Sequence, residues 1–265
     1  MKKVLTIAGS DSGGGAGVQA DLKTMTVHKC YGASVISAVT AQNTQGVQGV
    51  KALSGDFVAK QVDSVLSDIN FDAVKTGMLA NSEIVETVAK KIKEYKIFNL
   101  VVDPVMVATS GDLLLEAEAV AVYKEKLIPE ASIITQNLNE AKVLSNRDVS
   151  EEVEIEILAK DLYALGSDYV LVKGGHISSQ KRKAVDLLYN GNEYKEFSAE
   201  FIDTPHTHGT GCTLSSAIAS NLAKGYSMEK AVEKSKKYIS EAIRSGCFVG
   251  KGNNPVNHLV DMIKI

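Results

Sequence analysis

The chain has 265 residues, which at roughly 150 residues per domain makes one large domain or two small ones and leaves room for a sizeable core. Its 45% hydrophobic and 23% charged residues are ordinary globular values and exclude disorder as the bulk state. The 29 basic and 32 acidic residues leave a net charge of -3, whereas a general nucleic-acid or anionic-membrane binder would be basic.

Cys30, Cys212 and Cys247 are odd in number and far apart. They make neither a disulfide framework nor a CxxC metal pair, which fits a reducing compartment. Lys2-Lys3 followed by Val4-Leu5-Thr6-Ile7-Ala8 begins like a signal peptide, but Gly9 and Asp11 end the apolar stretch too early for an h-region. No apolar run approaches the roughly 18 residues of a membrane span. A cytoplasmic protein is expected.

In chain order, short β-branched runs alternate with amphipathic segments. Val4-Ala8, Ser34-Ala38, Ala73-Thr76, Leu100-Val102, Ser132-Thr135 and Tyr169-Lys173 read as buried strands. Gly15-His28, Phe57-Ile69, Ser82-Tyr95, Glu116-Leu127 and Glu152-Leu165 carry apolar residues at three- and four-residue spacing and read as core-facing helices. That alternation predicts an α/β fold, a mostly parallel sheet with helices on both faces. Between Lys183 and Ile202 the rhythm changes to a β-hairpin around Asn190-Gly191. Helices about Gly211-Gly225 and Met228-Arg244 follow. With four prolines and no Pro- or Ser-rich linker, one domain spanning residues 1–265 is expected.

Five glycines lie within Gly9-Ser10-Asp11-Ser12-Gly13-Gly14-Gly15-Ala16-Gly17, directly after the first strand. Glycine lets a backbone turn tightly and approach a ligand closely, and the carboxyl end of a strand favours a ligand site over a purely structural turn. Neither familiar nucleotide motif fits. No lysine follows Gly17 as a P-loop requires, and Val18 stands at the third glycine of a dinucleotide pattern begun at Gly13.

Thr207-His208-Gly209-Thr210-Gly211-Cys212-Thr213 precedes a small-residue helix. Gly-Thr-Gly ahead of a helix collects free N–H groups at the positive dipole end, which makes an anion hole. A cysteine there is expected to have a lowered pKa. Two alternatives stand beside this: Cys212 as a small buried cap, or His206, His208 and Cys212 as zinc ligands, the latter disfavoured for want of a fourth ligand at a familiar spacing.

Asn137 and Glu140 follow another strand, three residues apart. They read either as a capping box or as an amide and carboxylate ordering hydrated Mg²⁺ beside phosphates. Lys173-Gly174-Gly175-His176 closes a strand and turns around a nucleotide or forms a surface loop. Asp103 ends a buried strand, where a carboxylate needs a partner or an ion.

Together these motifs resemble the ribokinase-like superfamily. More closely, Leu5-Thr6-Ile7-Ala8-Gly9-Ser10-Asp11, Gln19-Ala20-Asp21-Leu22-Lys23-Thr24, Ala41-Gln42-Asn43-Thr44, Lys75-Thr76-Gly77-Met78-Leu79, Asp103-Pro104-Val105-Met106 and His208-Gly209-Thr210-Gly211-Cys212-Thr213 resemble the hydroxymethylpyrimidine/phosphomethylpyrimidine kinases of thiamine biosynthesis, from about Val4 to Gly252. The resemblance implies a three-layer α/β/α sandwich, ATP and Mg²⁺, a small pyrimidine substrate and a homodimer. It implies phosphorylation of 4-amino-5-hydroxymethyl-2-methylpyrimidine and then of its monophosphate.

By motif position it places Gly9, Asp21, Gln42, Met78 and Val105 around the pyrimidine. Asn137, Lys173, Thr207 and Lys236 fall near ATP, and Asp103 and Glu140 near the metal. Cys212, with the N–H groups of Gly209 to Cys212, falls at the transferred phosphoryl group. Gln42 offers donor and acceptor to an aminopyrimidine edge. Lys236 has a competing reading as one of several solvated lysines on its helix. The family usually has proline at Gln136 and often at Asn139, and the loss of a rigid turn there is expected to loosen the metal loop while Asn137 and Glu140 are kept. Two other functions compete: a pyridoxal kinase, whose equivalent of Gln42 tends to be apolar, and a non-catalytic pyrimidine sensor. The stretch Ala41-Gly49 reads as a loop, either one closing over the substrate or an ordinary exposed connection.

Overall fold

The computed structural model describes residues 1–106, 117–147, 154–174 and 183–260. Among these residues, nine strands form one sheet: β1 (Lys3–Asp11), β2 (Tyr31–Asn43), β3 (Gly46–Ala52), β4 (Ala73–Thr76), β5 (Leu100–Val102), β6 (Ile133–Asn137), β7 (Val170–Lys173), β8 (Lys183–Tyr189) and β9 (Tyr194–Glu200). Their spatial order is β3-β2-β1-β4-β5-β6-β7-β8-β9. The run from β2 to β7 is parallel; β3 at one edge and the β8–β9 hairpin at the other are antiparallel. The helices are α1 (Gly17–Val27), α2 (Gly55–Leu66), α3 (Ser82–Glu94), α4 (Ala117–Val122, continued by a wider turn Tyr123–Leu127), α5 (Leu138–Leu144), α6 (Ile155–Tyr163), α7 (Thr210–Ala223) and α8 (Met228–Ser245). Residues Gly175 and His176 of the expected nucleotide turn lie outside the described residues.

Strands buried on both faces read as continuous apolar runs because alternate side chains serve opposite layers. On β5, Leu100 and Val102 join the core shared with α2, α3 and α6, while Val101 joins the core shared with α1, α7 and α8. The sheet is therefore the middle of three layers. Two expectations change. The stretch from Ala41 to Gly49 is not a loop: it is the end of β2, a turn and most of β3, paired Ala41↔Gly49 and Gln42↔Val47. And β2 runs well beyond Ser34-Ala38. Strand β3 carries two glycines and is largely exposed, so it has no hydrophobic face for a pattern to show. Backbone pairing with β2 holds most of it, and only Ala52 at its end packs against the core.

Candidate active site

The carboxyl ends of β1, β4, β5, β6 and β7 lie along one edge of the sheet, where open α/β folds take ligands. A cavity of about 430 Å³ opens there. Of the sequence-derived candidates, Gly9, Gln42, Met78, Val105, Asp103, Asn137, Glu140, Lys173, Thr207, Gly209, Gly211, Cys212 and Lys236 all line it. Asp21 does not. Its side chain is fully buried on α1, accepting from Thr6 Oγ1 (2.6 Å), Ser216 Oγ (2.6 Å) and Lys75 Nζ (3.0 and 2.9 Å). It lies behind the wall, because a carboxylate with three donors already satisfied belongs to the scaffold.

The strand order spreads the lining into three parts. Residues of β1 and β2 with Met78 make one end. The ends of β5, β6 and β7 with the start of α7 make the middle. Ala184, Asp186, Glu200, Phe201 and Ile202 with Ile239 and Ile243 of α8 make the other end, which is mostly apolar.

In the middle, Gly209 has φ +78° and a side chain there would collide with the Gly15 carbonyl, so only glycine lets the chain enter α7 this way. Thr213 donates to Gly209 O (2.9 Å), the first bond of the helix, and Thr210 N–H donates to Thr207 O (3.2 Å). The N–H groups of Gly211 and Cys212, ahead of that first bond, form the positive end of the helix. A Cβ on Gly211 would lie 3.4 Å from Lys173 Nζ and 3.6 Å from Asp103 Oδ2, which brings three separately inferred residues together.

Asp103 is 1% exposed and has the partners that burial demands. Thr135 Oγ1 (3.3 Å) and Lys173 Nζ (3.4 Å) donate to Oδ1, and Ser215 Oγ (3.1 Å) donates to Oδ2. Asn137 and Glu140 form a capping box: Asn137 Oδ1 accepts from Glu140 N–H and a Glu140 carboxylate oxygen accepts from Asn137 N–H, both at 2.9 Å. Burial pushes the Glu140 carboxyl up to about 7, against the pull of Lys173. Burial disfavours the Lys173 charge, yet Asp103 and Glu140 outweigh it and raise its pKa.

Cys212 overturns one expectation. Burial pushes its thiol up to about 11, and Lys75 opposes this only in part while Asp21 and Asp103 add to it. The helix end does not make a thiolate here, because the same packing that seats the sulfur removes it from water. Lys236 also departs from its neighbours: it is 9% exposed and donates to Asp186 Oδ2 at 2.7 Å, unlike the solvated lysines around it. The zinc alternative fails, since among the described residues no three His, Cys, Asp or Glu side chains are arranged to hold a metal ion. His206 instead packs edge-on against Phe248.

Sequence reasoning missed Asp11 and His208 as cavity residues. His208 Nε2 lies 2.9 Å from Asp11 Oδ2. The signal was present, as an aspartate followed by glycines is a local backbone-binding turn. It also missed the apolar end, whose residues come from β8, the end of β9 with the segment after it, and α8, and share no motif.

The phosphomethylpyrimidine kinase family model matches residues 11–257. The chain belongs to this family. It is similar to the hydroxymethylpyrimidine/phosphomethylpyrimidine kinase of Bacillus subtilis, 44% identical over 256 residues that cover 97% of this chain and 94% of that protein. It is also similar to the thiamine biosynthesis bifunctional protein of Geobacter sulfurreducens, at 48% identity over 97% of this chain. The chain spans about half of that relative's length, 52%. Among solved structures, an ADP complex of Bacillus subtilis pyridoxal kinase matches with a TM-score of 0.89 and 39% identity, covering 97% of each chain. The three-layer α/β fold expected from the resemblance is thus shared with this family's neighbours. Among the described residues, no helix is long and apolar enough to cross a membrane.

Proposed function

We propose that this chain transfers the γ-phosphoryl group of ATP to the hydroxymethyl oxygen of 4-amino-5-hydroxymethyl-2-methylpyrimidine, and then phosphorylates that monophosphate to the diphosphate. One observation carries the reading: Gln42, the residue able to read an aminopyrimidine edge, lines the same cavity as the Gly209–Cys212 turn, Lys173, Asp103 and Glu140. The pyrimidine would lie between Gln42, Met78 and Val105 with its hydroxyl toward Cys212. The adenine would occupy the apolar end beside Ile239 and Ile243, with the phosphates running toward α7.

Transfer forms a bond between the hydroxymethyl oxygen and the γ-phosphorus and breaks the bond from that phosphorus to the bridging oxygen, releasing ADP. The N–H groups of Gly211 and Cys212 and the Lys173 ammonium would hold the charge on the moving group, where positioning and electrostatics supply most of the catalysis. Cys212, a thiol at rest, would accept a hydrogen bond from the substrate hydroxyl and orient it, and the hydroxyl proton would pass to an oxygen of the transferred phosphoryl group. Asp103 and Glu140 fit Mg²⁺, being hard oxygen donors at the phosphate end, and the ion takes only one or two carboxylates beside waters and phosphates. Bound there, it would neutralise phosphate charge.

A single kinase domain goes with this reading, supported by one sheet running from β3 to β9. A cytoplasmic homodimer goes with it too, supported by the family resemblance. A second reading, pyridoxal kinase, is favoured by the likeness to that solved structure. The polar amide of Gln42 argues against it. Side-by-side kcat/KM for the pyrimidine alcohol and pyridoxal separates the two: the pyrimidine is expected to be preferred, and preference for pyridoxal would reverse the assignment.

A further inference from the structure

The Gln42 side-chain amide is held between Thr40 and His208. One end lies 3.1 Å from Thr40 Oγ1 and the other 3.5 Å from His208 Nε2. Donor accounting decides which end is which, because the carbonyl oxygen only accepts and the NH₂ only donates.

Consider first the His208 side. The Asp11 carboxyl accepts from the N–H groups of Gly13 (2.8 Å), Gly15 (3.0 Å) and Ala16 (2.8 Å). Burial works to raise its pKa, but the His208 hydrogen bond and the Ala16 and Gly13 backbone donors outweigh burial and hold it below the ordinary value. A carboxylate only accepts, so His208 Nε2 at 2.9 Å carries a proton whether the ring is neutral or cationic. The ring is fixed in place: a Cβ on Gly15 would strike it, His208 N–H donates to Asn254 O (3.2 Å) and His208 O accepts from Val256 N–H (3.3 Å).

On the other side, Thr40 Oγ1 lies 3.0 Å from the Ser10 carbonyl oxygen. That oxygen only accepts, so it takes the single hydroxyl proton. With NH₂ toward His208 and the carbonyl toward Thr40, two N–H donors would face each other and Thr40's proton would be claimed twice. The opposite orientation matches every group. Gln42 NH₂ donates to Thr40 Oγ1, Thr40 donates to Ser10 O, and the His208 N–H, shared with Asp11, faces the Gln42 carbonyl.

We propose that Asp11 and His208, with Thr40, are specificity-determining positioning residues that lock the Gln42 amide so that the cavity meets one donor and one acceptor in fixed order. That order suits an amidine-type edge, in which a ring nitrogen accepts from the NH₂ and an exocyclic amino group donates to the carbonyl. A ring without the amino group leaves the cavity-facing lone pair of the locked carbonyl without a donor, and an unmet polar group in a closed site is where discrimination comes from. The inference rests on the pocket role proposed above for Gln42.

The test is steady-state kinetics of His208→Ala, Gln42→Ala and the double variant, with the aminopyrimidine alcohol and with the same alcohol lacking its amino group. For His208→Ala, KM for the amino alcohol is expected to rise about tenfold, with kcat and the KM for ATP within about twofold and the des-amino alcohol little changed. In the Gln42→Ala background, removing His208 should have no further effect. His208→Gln, which keeps an N–H donor, should recover part of the loss. If His208→Ala does not fold, Thr40→Val frees the other end of the amide and should give the same selective KM rise. A fall in kcat, equal effects on both alcohols, or additivity with Gln42→Ala would overturn the orientation lock. An unchanged pyrimidine KM in Gln42→Ala alone would instead contradict the pocket reading beneath it.

Discussion

Lys75 Nζ lies 2.9 Å from Asp21 Oδ2, and neither side chain has any exposure to solvent. The pair spans α1 and β4 directly behind the cavity, with Thr6 and Ser216 satisfying the remaining carboxylate valences. Asp21 therefore acts through the scaffold, although its motif in the sequence suggested the pyrimidine pocket.

Breaking this pair leaves one charge buried alone. Lys75→Met is expected to lower stability by about 3–5 kcal/mol, read as a fall in urea midpoint. Asp21→Asn should likewise destabilise while the remaining folded enzyme keeps its pyrimidine KM. A KM change without a midpoint change would return Asp21 to the pocket.

With its thiol pushed up to about 11, Cys212 should be only about 10⁻⁴ thiolate at pH 7. Alkylation mapped by mass spectrometry should be slow there and rise about tenfold per pH unit toward 11. Cys212→Ala is expected to lower kcat by about 10² with the fold intact; an unchanged kcat would remove Cys212 from the chemistry.

How much of this was legible beforehand follows from what a pattern can carry. The parallel strands were readable because burial on both faces writes them as continuous apolar runs, as at Leu100-Val101-Val102. Strand β3 was not, because Gly46, Gly49 and the exposed residues around them have no buried face. The cavity residues were readable where a special backbone is required, as at Gly209. The place of Asp21 and the pKa of the Cys212 thiol escape a sequence reading for a common reason: burial and through-space partners such as Lys75 come from other elements and leave no local trace. The Asp186–Lys236 pair, 50 residues apart in sequence, is illegible in the same way.

Burial also lowers the pKa of His28 and His258 to about 4. The unfolded chain protonates these rings below about 6.5 and the folded chain does not until about 4. Their contribution to stability is thus complete above about pH 6.5 and is lost as pH falls toward 4, by on the order of 3 kcal/mol for each ring. Glu140, pushed up to about 7, works in the opposite sense between its unfolded value and 7. The histidine share is therefore read as a difference. Denaturation of His28→Gln and His258→Gln from pH 7.5 to 5 should lose less stability than the unaltered chain, and an identical slope would refute the assignment.

Glu140→Gln removes a carboxylate from the phosphate end while leaving the capping box one acceptor. The Mg²⁺ concentration for half-maximal rate should rise at least about tenfold, with little change in pyrimidine KM. An unchanged Mg²⁺ requirement would place the ion elsewhere.

The account as a whole stands on the identity of the product. Incubation with ATP, Mg²⁺ and 4-amino-5-hydroxymethyl-2-methylpyrimidine, followed by mass spectrometry, should show the monophosphate and then the diphosphate with matching ADP release. Recovery of the alcohol unphosphorylated, under conditions where the protein turns over pyridoxal or binds the pyrimidine without consuming ATP, would contradict it.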